Sequence, residues 1–258
     1  MKKELFVKDI MAKPVTIAKS AKLTEALDRM LAEGIDPLIA TNNTSVVGTV
    51  SREAIAEKLG NRHDADVAPT ALHVSSVVDE DFTSVYPDQN INVLIPLLQR
   101  YKLVVVYDTD HKLIGQISAI DLLKQVIPRE SLFEVLEKCV SIEADERVVH
   151  LRRRMLDDRI TRFLVTENER ILGIVTETDV AIAMCRFRKA VEGKHQDHRI
   201  RNLLVKDIMS TPVITIDRSR PVTDAVDIMQ KKNIGAIPVT DKGRPVGIVT
   251  RRSLVNAI

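Results

Sequence analysis

Tryptophan is absent from the chain, and aromatic residues of all kinds make up only 3% of it. So few flat side chains leave little on which single-stranded nucleic acid could stack. Cysteine is scarce too: Cys139 and Cys185 are too few for a disulfide framework, and two free thiols in an aliphatic chain suit a reducing cytoplasm. No stretch reaches the roughly 18 uninterrupted apolar residues of a membrane span. The opening Met1-Lys2-Lys3-Glu4-Leu5 lacks the apolar core and cleavage site of a secretory signal. No Ser-His-Asp or Cys-His phrase and no glycine-rich phosphate loop is found, so enzyme is the least expected class. His195 and His198 stand three apart, but with no third ligand nearby they make no metal site.

What is present is aliphatic and charged. Hydrophobic residues are 45% of the 258, ample for a packed core in one or two domains. The net charge is +2, unevenly placed: from Arg129 onward 24 Lys/Arg face 19 Asp/Glu, whereas the first 128 residues carry 14 against 17. The second half is thus the side expected to meet phosphate.

Internal repetition decides the architecture. Val7-Lys8-Asp9-Ile10-Met11 recurs letter for letter as Val205-Lys206-Asp207-Ile208-Met209, and each copy is followed by Pro-Val. Two further copies lie between. A helix ending near Met30, Leu97, Met155 or Met229 is followed 18 residues later by Gly48, Gly115, Gly173 or Gly247, with no gap. Three positions on stands a hydroxyl: Ser51, Ser118, Thr176, Thr250. Within a copy, a β-branched run such as Val213-Ile214-Thr215-Ile216 reads as a strand. Leu23, Ala26, Leu27 and Met30 show helical spacing. Two strands follow across a turn such as Thr240-Asp241-Lys242-Gly243-Arg244, and the hydroxyl caps a closing helix. A unit of about 55 residues buries too little surface to be comfortable alone, so four copies suggest two pairs.

Each copy resembles a CBS domain, the repeat named after cystathionine beta-synthase. The phrases carrying the resemblance are Val-Lys-Asp-Ile-Met with Pro-Val, and Gly-Ile-Val-Thr-Glu-Thr-Asp at 173–179. It covers 5–60, 72–128, 132–191 and 203–258. The resemblance implies an α+β fold of β-α-β-β-α repeats, paired into two Bateman modules over 1–128 and 129–258. It is similar in this to the gamma subunit of AMP-activated protein kinase and to stand-alone archaeal and bacterial four-repeat proteins.

The resemblance also implies an adenine nucleotide (AMP, ADP or ATP) in the clefts between paired repeats, as a regulatory ligand rather than a required cofactor. The family's Gly-x-x-Thr/Ser-x-x-Asp phrase offers a hydroxyl and helix start to phosphate, and a carboxylate to the ribose. The second copy keeps it as Gly115, Ser118 and Asp121, the third as Gly173, Thr176 and Asp179. The first and fourth carry Ala54 and Ser253 in place of the acid. The stretch Arg159-Ile160-Thr161-Arg162-Phe163-Leu164-Val165 resembles the gamma-subunit stretch whose basic residue before the strand contacts phosphate, so the resemblance implies that role for Arg162. The equivalent positions elsewhere read as Pro37, Val104 and Ala236, none of which can pair with an anion. Ser141, Ile142, Phe163 and Leu164 are expected around the adenine. An Asp three residues after a Thr is equally an ordinary helix cap.

Two basic stretches remain: Arg152, Arg153 and Arg154 with their neighbours, and the connector bearing Arg186, Arg188, Lys189, Arg199 and Arg201. They read either as an RNA-backbone clamp or as a solvated face and a polar linker. The expected function is cytoplasmic and regulatory, with nucleotide occupancy signalled to a separate protein or RNA partner, and with two-fold assembly usual for such modules. The alternative is a ribosome- or RNA-associated scaffold.

Overall fold

All four copies fold as one five-element unit. The first runs β1 (Thr16–Ala18), α1 (Leu23–Glu33), β2 (Leu38–Asn42), β3 (Ser45–Val50) and α2 (Arg52–Gly60). The second runs β4 (Thr83–Val85), α3 (Leu94–Arg100), β5 (Leu103–Tyr107), β6 (Leu113–Ser118) and α4 (Ala119–Leu123). The third comprises β7 (Ser141–Glu143), α5 (Val148–Asp158), β8 (Arg162–Glu167), β9 (Arg170–Thr176) and α6 (Glu177–Ala190). The fourth comprises β10 (Ile216–Asp217), α7 (Val222–Lys232), β11 (Ala236–Asp241), β12 (Arg244–Thr250) and α8 (Arg251–Asn256). The structure, a computed structural model, describes residues 4–60, 69–168, 170–190 and 202–258. Each unit holds a three-stranded sheet whose first strand is parallel to the second and whose hairpin is antiparallel. The fold is α+β, as expected.

The apolar pattern explains why the first helix of each unit packs. On α1, Leu23, Ala26, Leu27 and Met30 are at most 3% exposed, and their spacing places them along one stripe. The helix stops at Gly34, whose φ of 65° is the left-handed conformation that costs glycine least.

Strand register corrects one spacing read from the sequence. Counting back from the glycine pairings, Pro37, Leu103, Arg162 and Ala236 are equivalent, so Leu103 rather than Val104 matches Arg162. The second copy enters its hairpin one residue early and recovers that residue in a longer turn, Asp108 to Lys112. The constant 18-residue spacing hid two compensating shifts.

Two different pairings hold the molecule together. The segment leading into each unit crosses to its neighbour: Ala12 pairs with Gln116, Asp79 with Thr49, Ser210 with Ile174 and Glu137 with Ile248. Each crossing is a reciprocal pair of backbone hydrogen bonds of 2.8–3.1 Å. Five residues earlier in each segment, Val7, Val74, Leu132 and Val205 are completely buried in the neighbour's core. Units one and two are thereby laced together, as are three and four. The helices pair otherwise: α2 packs on α6, and α8 on α3 and α4. One core therefore joins units one and three, and the other joins two and four.

Candidate functional site

In the third unit the end of β9 and the start of α6 build the expected constellation. Thr176 is the last residue of β9, and Asp179 in the first turn of α6 accepts hydrogen bonds from the Thr176 amide at 2.8 Å and from its Oγ1 at 2.6 Å. The other carboxylate oxygen, Oδ1, accepts from Ser210 Oγ at 2.8 Å, so the neighbour's lead segment reaches this cap. Arg162 opens β8 directly opposite Thr176. Arg162, Thr176 and Asp179 are brought together as the sequence implied. These three bonds hold the Asp179 carboxylate in place.

The second unit repeats the cap: Asp121 accepts from the Ser118 amide at 2.9 Å and from Ser118 Oγ at 2.7 Å, with Lys124 Nζ on its other oxygen at 3.3 Å. The residues named for the adenine are placed differently. Ile142, Phe163 and Leu164 are core residues no more than 4% exposed, which leaves only their backbone groups to a base. Ser141 is exposed, and its carbonyl accepts from Arg154 Nη1 at 3.3 Å.

Where the clefts meet, every unit contributes a cation: Arg52, Lys102, Arg162 and Arg251. Arg52 ties units one and three, donating to Met30 O at 3.0 Å and to Thr178 Oγ1 at 3.4 Å. Arg251 donates to Asn233 Oδ1 at 3.3 Å, and Asn233 Nδ2 donates to Gly34 O at 3.1 Å, joining units four and one. Lys102 Nζ bonds Glu53 at 2.9 Å, joining units two and one. Burial lowers the Arg251 pKa; Asp121 opposes that shift, while Arg52 and Arg162 add to it. Glu177 sits among them. Burial raises its carboxyl pKa, while Arg162 and Lys102 pull it down. Glu177 Oε2 and the Nε atoms of Arg52 and Arg251 are buried without a hydrogen-bond partner. Arg162 is half-buried and makes neither hydrogen bond nor ion pair among the described residues.

A cavity of about 350 Å³ opens between units one and two. It is lined by the apolar Pro37, Phe82 and Leu103, by Thr49, Ser51 and Tyr101, and by the charged Glu53, Asp79, Asp81, Arg100 and Lys102. Sequence reasoning passed over Lys102, Ser210, Arg52 and Arg251. A signal existed for the arginines, since Arg52 and Arg251 each follow the capping hydroxyl, as Glu177 does.

The basic stretch on α5 is largely engaged with the protein itself. Arg152 Nη2 donates to Glu57 O at 3.4 Å, Arg153 pairs with Asp157 at 3.4 Å, and the Arg154 guanidinium lies 4.8 Å from the Phe163 ring centre. Arg186 is exposed on α6. Arg199 and Arg201, His195 and His198, and the side chains of Arg188 and Lys189 lie outside the described residues. Among the described residues no cluster of His, Cys, Asp and Glu could hold a metal, and no helix is long and apolar enough to cross a membrane.

Four like units, laced in pairs around hydroxyl-capped clefts, define a tandem-repeat α+β protein with its polar groups gathered between the units. The CBS domain model matches residues 7–61, 74–128, 132–186 and 205–258, and the chain belongs to the CBS-domain family. It is similar in structure to a Methanocaldococcus jannaschii protein proposed to be an archaeal homologue of g-AMPK, with 22% identity, a TM-score of 0.80, and 98% and 99% of the two chains covered. A conserved uncharacterized protein of Pyrococcus horikoshii shares the fold at 20% identity and a TM-score of 0.63, covering 98% of this chain and all of that one. In sequence the chain is 26% identical over 269 residues to an uncharacterized 33.4 kDa protein in a ribosomal RNA operon of Thermofilum pendens, covering 95% of this chain and 88% of that one. Another uncharacterized M. jannaschii protein matches 98% of the chain at 24% identity, but the match spans only 61% of that protein.

Proposed function

We propose that the chain is a regulatory protein that binds an adenine nucleotide in the third unit's cleft and passes its occupancy to a separate macromolecule. The observation that carries this reading is Arg162. A half-buried guanidinium with no acceptor among the described residues, beside a capped helix start and a fixed carboxylate, offers what a ribose phosphate requires. Phosphate would take the charge of Arg162 and remove it from Glu177, which Arg162 now steadies. Glu177 lies on the seam between α6 and α2, so the change is felt where units one and three meet.

Thermal unfolding with AMP, ADP, ATP and GMP, on wild type and on Arg162→Ala and Asp179→Ala, tests the reading. A ligand present at about a hundred times its Kd adds about 2.7 kcal/mol. An upward shift with one adenine nucleotide, lost in both variants, is the expected result. No shift with any of the four in nucleotide-free wild type would sink the reading.

A further inference from the structure

The acid missing from the first and fourth clefts has a counterpart on another segment. One position on the exchanged lead segments, five residues after the buried anchor, holds Ala12, Asp79, Glu137 and Ser210. Ala12 and Ser210 reach the second and third clefts, whose helices carry Asp121 and Asp179. Asp79 and Glu137 reach the first and fourth, whose helices carry Ala54 and Ser253. The carboxylate comes from the helix in two clefts and from the neighbour in the other two. Glu137 also acts as the helix acid does, accepting from Thr250 Oγ1 at 3.3 Å.

We propose that the first cleft is a second ligand site, its carboxylate supplied in trans by Asp79, and that it takes a ribonucleoside monophosphate. This rests on the reading that the clefts hold nucleotides, and it holds although the helix of the first carries Ala54 in place of the acid. The cavity's 350 Å³ falls at the lower end of the roughly 300–1,000 Å³ of small-molecule sites, which suits one nucleotide rather than two. Asp79 Oδ1 accepts from the Asp81 amide at 3.0 Å, and its Oδ2 has no partner among the described residues. Ser51 Oγ accepts from the Ala54 amide at 3.1 Å and has its own hydrogen left to donate. Two hydroxyls of a ribose can therefore donate to Asp79, and Ser51 can donate to a phosphate. Lys102 and Arg100 make exposed ion pairs, with Glu53 at 2.9 Å and Asp81 at 3.2 Å, and Arg100 also lies over the Tyr101 ring at 5.0 Å. Such pairs contribute little and yield readily to an incoming anion. Phe82, Pro37 and Leu103 supply the apolar wall for a base.

Titration calorimetry with AMP as the probe separates the possibilities. Wild type should bind AMP at two clefts, and Asp79→Asn should abolish one while leaving the site that depends on Asp179. Adding Ala54→Asp to Asp79→Asn returns the acid to the helix and should restore the lost site. 2′-Deoxy-AMP should bind the first cleft at least about tenfold more weakly, one hydrogen bond to a charged acceptor being lost. Unchanged stoichiometry in Asp79→Asn, with binding still dependent on Asp179, overturns this inference alone. No AMP bound to wild type at all overturns the third-cleft reading as well.

Discussion

Gly115 and Gly173 show how a residue can be visible in the sequence while its reason is not. Four glycines in register announced the repeat, but their cause lies in the neighbouring unit's lead segment. A Cβ on Gly173 would stand 2.6 Å from Met209 Sδ, and one on Gly115 would stand 2.8 Å from Met11 Sδ. Gly173→Ala and Gly115→Ala are expected to cost about 1–3 kcal/mol by overpacking. Gly235→Ala meets nothing within 4 Å and should be close to neutral. Urea denaturation of the three variants checks this. Glu177 gives a second prediction. Burial raises its folded pKa, so between its unfolded and folded values the native state binds more protons, and stability falls as pH rises through that window. Glu177→Gln should therefore melt higher than wild type at pH 8, with the difference vanishing once both states are protonated, below about pH 4. A difference that grows on acidification would contradict it.

Among the elements, strand and helix order was legible because period and turn chemistry are local. The stripe on α1 declared an apolar face; nothing in it declared which unit would cover that face. The sequence suggested that the units pair one with two and three with four, and the lead segments do cross within those pairs, but the two large cores run from unit one to three and from two to four. What binds one to two is the lead segment and a small cluster of Ile39, Leu103 and Val105. Leu132 shows the consequence. It precedes the third unit and is fully buried in the core of the fourth. Leu132→Ala should cost about 2–5 kcal/mol. Amide exchange should rise first in β11 and β12 rather than in β8 and β9; the reverse order would refute the exchange. The candidate site was half legible for the same reason: Thr176 and Asp179 share one helix start, while Ser210 and Asp79 arrive from other units.

For the whole molecule, each unit is bound to one neighbour through lead segments and to a different one through helices. Unfolding is expected as one cooperative transition, with fluorescence-free probes such as far-UV circular dichroism and calorimetry coinciding. After a chain cut between residues 60 and 69, Val7 still lies in the second unit's core and Val74 in the first's. Such a nicked protein should run as two bands under denaturing conditions and as one species in gel filtration; two separate species would show the crossings too weak to hold.

The same weave constrains truncation. Removing one unit strips a core from one neighbour and an anchor from another, and keeping a single pair still leaves a helix face uncovered. A lone pair is thus complete only against another pair that covers its helix face.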